Sequence, residues 1–325
     1  TMKKVFVTGV AGQLGHDVVN ELTCRTESGR SSYTCVGSDL APYYSGAMDG
    51  TAVTRTRYVS LDITDSDTVE RVLLKESPDI VIHCAAWTAV DLAEEQEEKV
   101  RLVNTVGTQN IVNVVKALDA SKPEGCKMVY LSTDYVFNGQ GTAPWEADCK
   151  SYAPLNIYGE TKLEGELAVS GQLEKYFIVR IAWVFGQNGK NFIKTMLNIG
   201  KTHEKLTVVN DQIGTPTYTY DLARLLADMI QTEKYGYYHA TNEGGYISWY
   251  DFAVEIFRQA SELGHPEYDA DHLTVTPVTT EEYGASKARR PFNSRLDRSK
   301  LAANGFTPLP DWKDALHRYL MELKF

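Results

Sequence analysis

Tyr158 and Lys162 are the two side chains of this 325-residue chain whose types and spacing could together transfer a proton. Residues four apart share one face of a helix, so a phenol and an ammonium at these positions would be neighbours. An ammonium stabilises a phenolate, and we therefore expect Lys162 to lower the pKa of Tyr158 from its usual value of about 10. The alternative is a solvated helix face, because the same pairing also occurs by chance.

A glycine-rich turn near the N-terminus is the second feature with a chemical meaning. The β-rich run Lys4–Thr8 leads into Gly9, Gly12 and Gly15, and apolar residues then recur at helical spacing. In a dinucleotide-binding turn the first glycine permits the turn, the second lets the backbone approach a pyrophosphate, and the third lets the helix pack on the strand. The spacing here is G-x-x-G-x-x-G rather than G-x-G-x-x-G, and a glycine turn without a ligand is the alternative.

Asp39 follows the second predicted strand, Tyr33–Ser38, and lies 24 residues after Gly15. An acidic residue at this place binds the ribose hydroxyls of adenosine and repels a 2′-phosphate, which favours NADH over NADPH. The alternative is that Asp39 only opens the turn before Ala41 and Pro42.

Two further predicted strands end in residues suited to a binding site. Asp79–Cys84 opens into small residues that permit close approach of a cofactor, and Met128–Leu131 ends at the hydroxyl pair Ser132 and Thr133. Open α/β sheets bind their ligands at this carboxyl edge. We expect His83, inside the first of these strands, to be a buried and hydrogen-bonded histidine rather than a base.

The order of the elements predicts the architecture. Strands and helices alternate from residue 4 to about residue 230, which indicates an α/β fold with a doubly wound, Rossmann-like parallel sheet. We assign residues 1–235 to this dinucleotide-binding domain, with an excursion near 183–203 toward the substrate. Prolines then recur and the segments become shorter, so residues 236–325 are predicted to form a smaller α+β substrate lobe.

Composition excludes several classes of protein. Hydrophobic residues make up 43% and charged residues 23% of the chain, and no apolar run approaches the roughly 20 residues that a membrane span needs. The net charge is −10 and no long basic block occurs, which argues against nucleic-acid binding. Five widely spaced cysteines without a CxxC pair argue against a disulfide framework or a zinc site, so we expect a cytoplasmic protein.

Together these features resemble the extended short-chain dehydrogenase/reductase superfamily. Within it the sequence is similar, nearly end to end, to the dTDP-4-dehydrorhamnose reductase family. The glycine turn and the Tyr-x-x-x-Lys pair are shared by the whole superfamily, whereas several other stretches are specific to this family. The matching stretches are Thr8–Gly15, Cys84–Asp91, Ser132–Phe137, Tyr158–Lys162, Trp183–Gly186, Gly189–Phe192, Asp211–Thr217 and Arg290–Ser294.

The resemblance implies an oxidoreductase of dTDP-rhamnose and polysaccharide biosynthesis. Its reaction would reduce C4 of dTDP-4-dehydro-β-L-rhamnose with NADH or NADPH. Tyr158 would donate the proton, Lys162 would lower the tyrosine pKa and hold the nicotinamide ribose, and Thr133 would orient the carbonyl oxygen, a role that Ser132 could in principle take.

The resemblance also implies binding residues. The cofactor contacts would be Gly9, Gly12, Gln13, Leu14, Gly15, Asp39, Asp62, Ile63, Ala85, Ala86, Tyr158 and Lys162. The sugar contacts would be Thr88, Val90, Tyr135 and Trp183, with Asn191, Arg290 and Asn293 as candidates for the nucleotide diphosphate. The alternatives are that Trp183 belongs to the core and that Arg290 is a surface cation.

Some members of the family form dimers bridged by a metal. Asp17 stands at one of the positions involved, but Tyr220 stands where a second acidic residue is expected. We therefore predict no metal, and either a monomer or a homodimer.

Two other functions fit the same fold. One is an epimerase or dehydratase that retains its NAD, although those families differ in sequence at Ser132–Phe137. The other is a non-catalytic regulatory subunit of the methionine adenosyltransferase type, which would not need Thr133, Tyr158 and Lys162.

Overall fold

Short apolar runs form the strands at the centre of the computed structural model, which describes residues 2–325. Within that range seven strands join in one sheet, and eight further strands form four two-stranded sheets. The strands are β1 (Lys3–Thr8), β2 (Tyr33–Asp39), β3 (Arg57–Ser60), β4 (Ile80–His83), β5 (Lys127–Thr133), β6 (Tyr176–Ile181), β7 (Val184–Phe185), β8 (Lys205–Val209), β9 (Ile213–Gly214), β10 (Thr217–Tyr218), β11 (Gly236–His239), β12 (Asn242–Glu243), β13 (Ile247–Ser248), β14 (Thr274–Val278) and β15 (Leu309–Asp311).

The helices cover both faces of the large sheet and build the second lobe. A π-helical turn, Leu102–Val106, joins two of them into one long helix. The helices are α1 (Gln13–Glu27), α2 (Ser66–Glu76), α3 (Val90–Glu95), α4 (Glu97–Arg101), α5 (Gly107–Ser121), α6 (Ile157–Gln172), α7 (Phe192–Gly200), α8 (Thr219–Met229), α9 (Trp249–Glu262), α10 (Thr280–Tyr283), α11 (Ser299–Ala303) and α12 (Trp312–Glu322).

The large sheet is parallel throughout, with the strand order β11-β6-β5-β4-β1-β2-β3. Its central strands are buried on both faces: in β1, Val5 and Val7 pack into one core cluster and Phe6, between them, packs into another. The predicted doubly wound parallel sheet is therefore confirmed. Because β1 lies between β2 and β4, the strand order changes direction there and leaves a crevice at the carboxyl ends of these strands.

The second lobe is not the single stretch 236–325 that the sequence predicted. Gly236–His239 is β11, the outer strand of the large sheet, and it pairs with β6. The core of the second lobe joins Phe185 and Ile193 from the predicted excursion to Phe252 and Trp312 from the C-terminal part. The change in composition near residue 235 indicates that the helices and strands become shorter. It does not mark the boundary of the second lobe, because the lobe is defined by the apolar faces that pack together.

None of the helices within residues 2–325 is long and apolar enough to cross a membrane.

Candidate active site

A cavity of about 710 Å³ opens at the carboxyl edge of the large sheet, bounded by the ends of β1, β2, β4, β5 and β6. This volume is in the usual range for a small-molecule site. Every residue predicted to act in catalysis or to contact the cofactor lines it, namely Gly9, Gly12, Gln13, Leu14, Gly15, Asp39, Asp62, Ile63, Ala85, Ala86, Thr133, Tyr158 and Lys162. Their individual roles stay predictions.

The glycine turn is held tightly against the strand next to it. Gly9 has a φ of 69°, and a Cβ at this residue would lie 2.7 Å from the backbone nitrogen of Ala85. A Cβ on Gly15 would overlap the Gly9 carbonyl oxygen. No side chain caps α1, whose first N–H groups follow Gly12 at the cavity wall. The turn therefore offers backbone donors and a positive helix end to an anion.

Asp39 lies in the cavity and also braces the glycine turn. Its Oδ2 accepts a hydrogen bond from the backbone N–H of Ala11 at 3.0 Å, and its Oδ1 accepts one from Leu40 at 2.8 Å. Asp39 can therefore stabilise the turn that follows β2 and also bind the ribose hydroxyls, because a carboxylate can accept more hydrogen bonds than these two.

Helix α6 holds Tyr158 and Lys162 at the cavity wall. The helix begins after Asn156, whose Oδ1 accepts a hydrogen bond from the N–H of Gly159 at 2.8 Å. The Lys162 side chain is buried, and its Nζ donates to the carbonyl oxygen of Leu131 at 2.6 Å. Burial lowers the pKa of Lys162 to about 8, against the opposing charge of Glu166.

The predicted lowering of the Tyr158 pKa by Lys162 is wrong for this structure. Burial raises the pKa of Tyr158, the Asp134 carboxylate raises it further, and a hydrogen bond with Thr133 opposes both. The Lys162 ammonium donates to the Leu131 carbonyl oxygen and burial weakens its charged form, so its charge does not reverse this rise. Tyr158 therefore stays protonated over a wide pH range.

Polar residues follow one another at the end of β5, and two of them, Thr133 and Asp134, influence the Tyr158 hydroxyl. Thr133 Oγ1 donates to Asp134 Oδ1 at 3.4 Å and accepts from the N–H of Tyr135 at 3.2 Å. Ser132 Oγ and Asp134 Oδ2 are both buried without a hydrogen-bond partner among residues 2–325. Burial raises the pKa of Asp134 to about 7, with a hydrogen bond from Ser294 opposing the rise.

The predicted substrate residues divide into two groups. The four predicted sugar contacts all line the cavity: Thr88, Val90, Tyr135 and Trp183. The three candidates for the diphosphate do not, and their polar groups are engaged elsewhere in the fold. The predictions for Asn191, Arg290 and Asn293 are therefore not supported.

Asn191 is a structural brace between the two lobes. Its Oδ1 caps α7 by accepting from Lys194 at 3.0 Å. Its Nδ2 donates to Gln13 Oε1 at 3.0 Å and to Tyr319 Oη at 2.9 Å. With only 9% of its surface exposed, Asn191 has no polar group left for a ligand.

Arg290 and Asn293 hold loops at the rim. Arg290 makes a bidentate ion pair with Asp91, with nitrogen–oxygen distances of 2.9 and 3.1 Å. Its hydrogen bond lowers the pKa of Asp91 to about 2. Asn293 is buried, and its Nδ2 donates to the carbonyl oxygen of Ala143 at 2.8 Å. Both residues stabilise the segment that follows α10.

Several residues of the cavity wall were not predicted from the sequence, among them Lys190 and Trp249. Lys190 is exposed and directly precedes Asn191, so the motif Gly189–Phe192 could have indicated it. Trp249 is the first residue of α9 in the second lobe, and no local pattern points to it. Lys162 and Lys190 are the only basic residues among those that line the cavity within the described chain.

Three polar residues beside the cavity have structural partners. His83 is buried between the hydroxyls of Thr8, at 2.8 Å, and Thr108, at 3.1 Å, as predicted for a core histidine. Asn104 lies in the π-helical turn, accepts from the N–H of Trp87 at 2.7 Å and donates to its carbonyl oxygen at 3.1 Å, so it holds the loop after β4. Asp17 is buried and accepts from Thr219 Oγ1 at 2.5 Å.

Comparisons with known proteins identify the family to which this chain belongs. A family model described as the RmlD substrate binding domain matches residues 2–325. The dTDP-4-dehydrorhamnose reductase of Escherichia coli (strain K12) is 38% identical over 267 residues, which cover 81% of this chain and 85% of that protein. The spore coat polysaccharide biosynthesis protein SpsK of Bacillus subtilis (strain 168) is 35% identical over 321 residues, which cover 99% of this chain and 98% of that protein.

A solved structure extends the similarity to three dimensions. The crystal structure of dTDP-4-dehydrorhamnose reductase from Bacillus anthracis str. Ames in complex with NADP matches with a TM-score of 0.81 at 36% sequence identity, covering 99% of this chain and 100% of that chain. The family model and these relatives span nearly the whole sequence and not only the glycine turn. The predicted resemblance is therefore confirmed, and the chain belongs to the dTDP-4-dehydrorhamnose reductase family of extended short-chain dehydrogenases/reductases.

Proposed function

We propose that this chain reduces dTDP-4-dehydro-β-L-rhamnose to dTDP-β-L-rhamnose, with a reduced nicotinamide dinucleotide as the reductant. The observation that carries the proposal is the convergence of Thr133, Tyr158 and Lys162 on one cavity beside the glycine turn. Hydroxyl, phenol and ammonium groups beside a dinucleotide turn suit the reduction of a carbonyl group.

The residues of the cavity fit the cofactor. Gly9 and Gly15 leave no room for a side chain, and the uncapped start of α1 faces the cavity, which suits a pyrophosphate. Bound NAD(P)H supplies the hydride that adds to C4 of the sugar. We expect Lys162, whose Nζ donates to the Leu131 carbonyl oxygen at 2.6 Å, to bind the nicotinamide ribose.

Tyr158 and Thr133 act on the C4 oxygen. Tyr158 donates its phenolic proton to this oxygen, so that one hydride and one proton together complete the two-electron reduction. Thr133 donates a hydrogen bond to the same oxygen, which stabilises the developing alkoxide by about 3 kcal/mol. The raised pKa of Tyr158 keeps the proton available at neutral pH.

We infer that NADH is preferred over NADPH. Asp39 lies in the cavity at the end of β2, and the only basic residues that line the cavity within residues 2–325 are Lys162 and Lys190. A 2′-phosphate would meet the Asp39 carboxylate without a nearby arginine. The relative from Bacillus anthracis was crystallised with NADP, so this preference needs its own test.

The variant Asp39→Asn tests the cofactor preference. It removes the negative charge but keeps an oxygen that can accept from Ala11, so the glycine turn stays braced. We expect the ratio of kcat/KM for NADH to that for NADPH to fall by about tenfold, which corresponds to about 1.4 kcal/mol. An unchanged ratio would show that the Asp39 carboxylate does not determine the cofactor preference.

The function is tested by offering the purified chain dTDP-4-dehydrorhamnose with each reduced cofactor. We expect the absorbance of the reduced nicotinamide to fall by one equivalent for each dTDP-rhamnose formed. An epimerase or dehydratase that retains NAD would convert the sugar without net oxidation. The matched variant Tyr158→Phe should lose turnover but still bind cofactor. Unchanged turnover of this variant would refute the mechanism, and no turnover by the unmodified chain would favour a regulatory role.

A further inference from the structure

Trp183 has an unusual backbone conformation at the cavity wall. Its φ is 52°, in the left-handed region that non-glycine residues rarely adopt. It lies between β6 and β7, and its carbonyl oxygen accepts from the N–H of Thr217 at 3.0 Å. Such strain persists only where the surrounding structure enforces it, and it is concentrated at functional sites.

The Trp183 indole is held from two directions. One face stacks on Trp249, with ring centroids 3.7 Å apart and an angle of 17° between the planes. On another side the indole lies against Gly214, where a Cβ would come within 3.0 Å of Trp183 Cε2 and 3.2 Å of Cζ2. A Cβ at position 214 would therefore require the indole, or the Ser294 side chain at 3.2 Å, to shift by a few tenths of an ångström.

Trp249 is itself firmly placed. It is the first residue of α9, directly after Ser248, whose Oγ accepts from the N–H of Asp251 at 3.0 Å. The Asp251 carboxylate accepts from the N–H of Ser248 at 3.0 Å and completes a capping box. Phe192 packs on Trp249 with a centroid distance of 4.7 Å. The second lobe thus fixes an aromatic platform under Trp183.

We propose that Trp249 and Gly214 are positioning residues that hold the Trp183 indole as a fixed apolar wall for the hexose ring of the substrate. Both tryptophans line the same cavity as Tyr158. A 6-deoxyhexose presents C–H groups and a methyl group, and these pack well on an aromatic face. The inference rests on the proposed function and deepens it, because it assigns to the second lobe the orientation of C4 toward the proton donor.

The variant Trp249→Ala tests this role with two independent measurements. Two stacked indoles produce an exciton couplet in the far-ultraviolet circular dichroism spectrum, and we expect the couplet to disappear. We expect KM for dTDP-4-dehydrorhamnose to rise about 3- to 10-fold while KM for the reduced cofactor is unchanged. Trp249→Phe should restore most of the substrate KM, because a phenyl ring can still support Trp183.

Two further variants separate positioning from general damage. Gly214→Ala should reduce the couplet and raise the substrate KM without removing any aromatic group. Trp312→Phe changes a buried tryptophan of the same lobe that does not line the cavity, and it should leave both measurements unchanged.

The result that would overturn the positioning role is loss of the couplet in Trp249→Ala with an unchanged substrate KM. An equal rise of both KM values would also overturn it, since this would indicate damage to the whole cavity. Absence of turnover by the unmodified chain would instead overturn the proposed function, and with it the assignment of the wall to this hexose.

Discussion

The variant Asp134→Asn should change how the stability of the chain depends on pH. The Asp134 carboxyl is buried beside Thr133, its Oδ2 has no hydrogen-bond partner in the described chain, and burial raises its pKa from 3.8 to about 7. A raised carboxyl pKa means that the folded chain binds this proton more tightly than the unfolded chain does. Stability from this group is therefore present at low pH and is lost as pH rises through 7.

The magnitude follows from the two pKa values. With 3.8 in the unfolded chain and about 7 in the folded chain, the group loses about 4 kcal/mol over the full titration, and about 2.5 kcal/mol of this between about pH 5 and pH 8. Asparagine does not titrate, so the variant lacks this pH-dependent loss of stability. The free energy of unfolding of Asp134→Asn should therefore fall less than that of the unmodified chain over this interval.

Urea unfolding at about pH 5 and about pH 8 measures the free energy of unfolding of each variant directly. Asp67→Asn is the matched control, because it removes an exposed carboxyl at the start of α2. We expect the control to follow the unmodified chain. If Asp134→Asn also followed the unmodified chain from pH 5 to pH 8, Asp134 would not carry a raised pKa and the reasoning from its burial would be refuted.

The same variant has a catalytic consequence. The Asp134 carboxylate raises the pKa of Tyr158, so its removal lowers that pKa. Because Tyr158 must be protonated to act as the donor, the alkaline fall of kcat should move to lower pH in Asp134→Asn. A shift to higher pH would contradict the assigned charge interaction.

Three further predictions concern side chains of the site and its supports. Thr133→Val should lower kcat by about 10²–10³-fold, whereas Thr133→Ser should retain most of the activity because it keeps the hydroxyl. An equal loss of kcat in both variants would show that the Thr133 hydroxyl does not act in the reaction. Lys190→Gln should raise KM for the dTDP-sugar by about tenfold at low salt and less at high salt, because the variant removes an exposed positive charge from the cavity wall that would attract a diphosphate. The control Lys201→Gln changes an exposed lysine that follows α7 and does not line the cavity, and it should leave this KM unchanged. Asn191→Ala should lower the free energy of unfolding by about 1–2 kcal/mol through loss of the α7 cap. A large rise of substrate KM with unchanged stability would instead make Asn191 a ligand contact.

Much of the fold and cavity follows from local sequence patterns. The glycine turn after β1 and the pair Tyr158 and Lys162 could be located because each depends on a few neighbouring residues. Parallel strands bring their carboxyl ends to one edge, so Asp39 and Thr133 were expected on one cavity, and they line it. The physical reason is that helix and sheet geometry relate sequence spacing to spatial position without any knowledge of distant contacts.

Only the tertiary structure decided how the polar and aromatic side chains are used. Arg290 and Asn191 have the chemistry of anion binders, but their partners Asp91 and Tyr319 come from remote parts of the chain. The direction of the pKa shift of Tyr158 depends likewise on burial rather than on the four-residue spacing. Trp249 reaches the cavity from α9 because the apolar faces of the two lobes meet there. Desolvation and pairing between distant elements are properties of the packed chain, so sequence spacing alone determines which groups are available and packing determines which of them act.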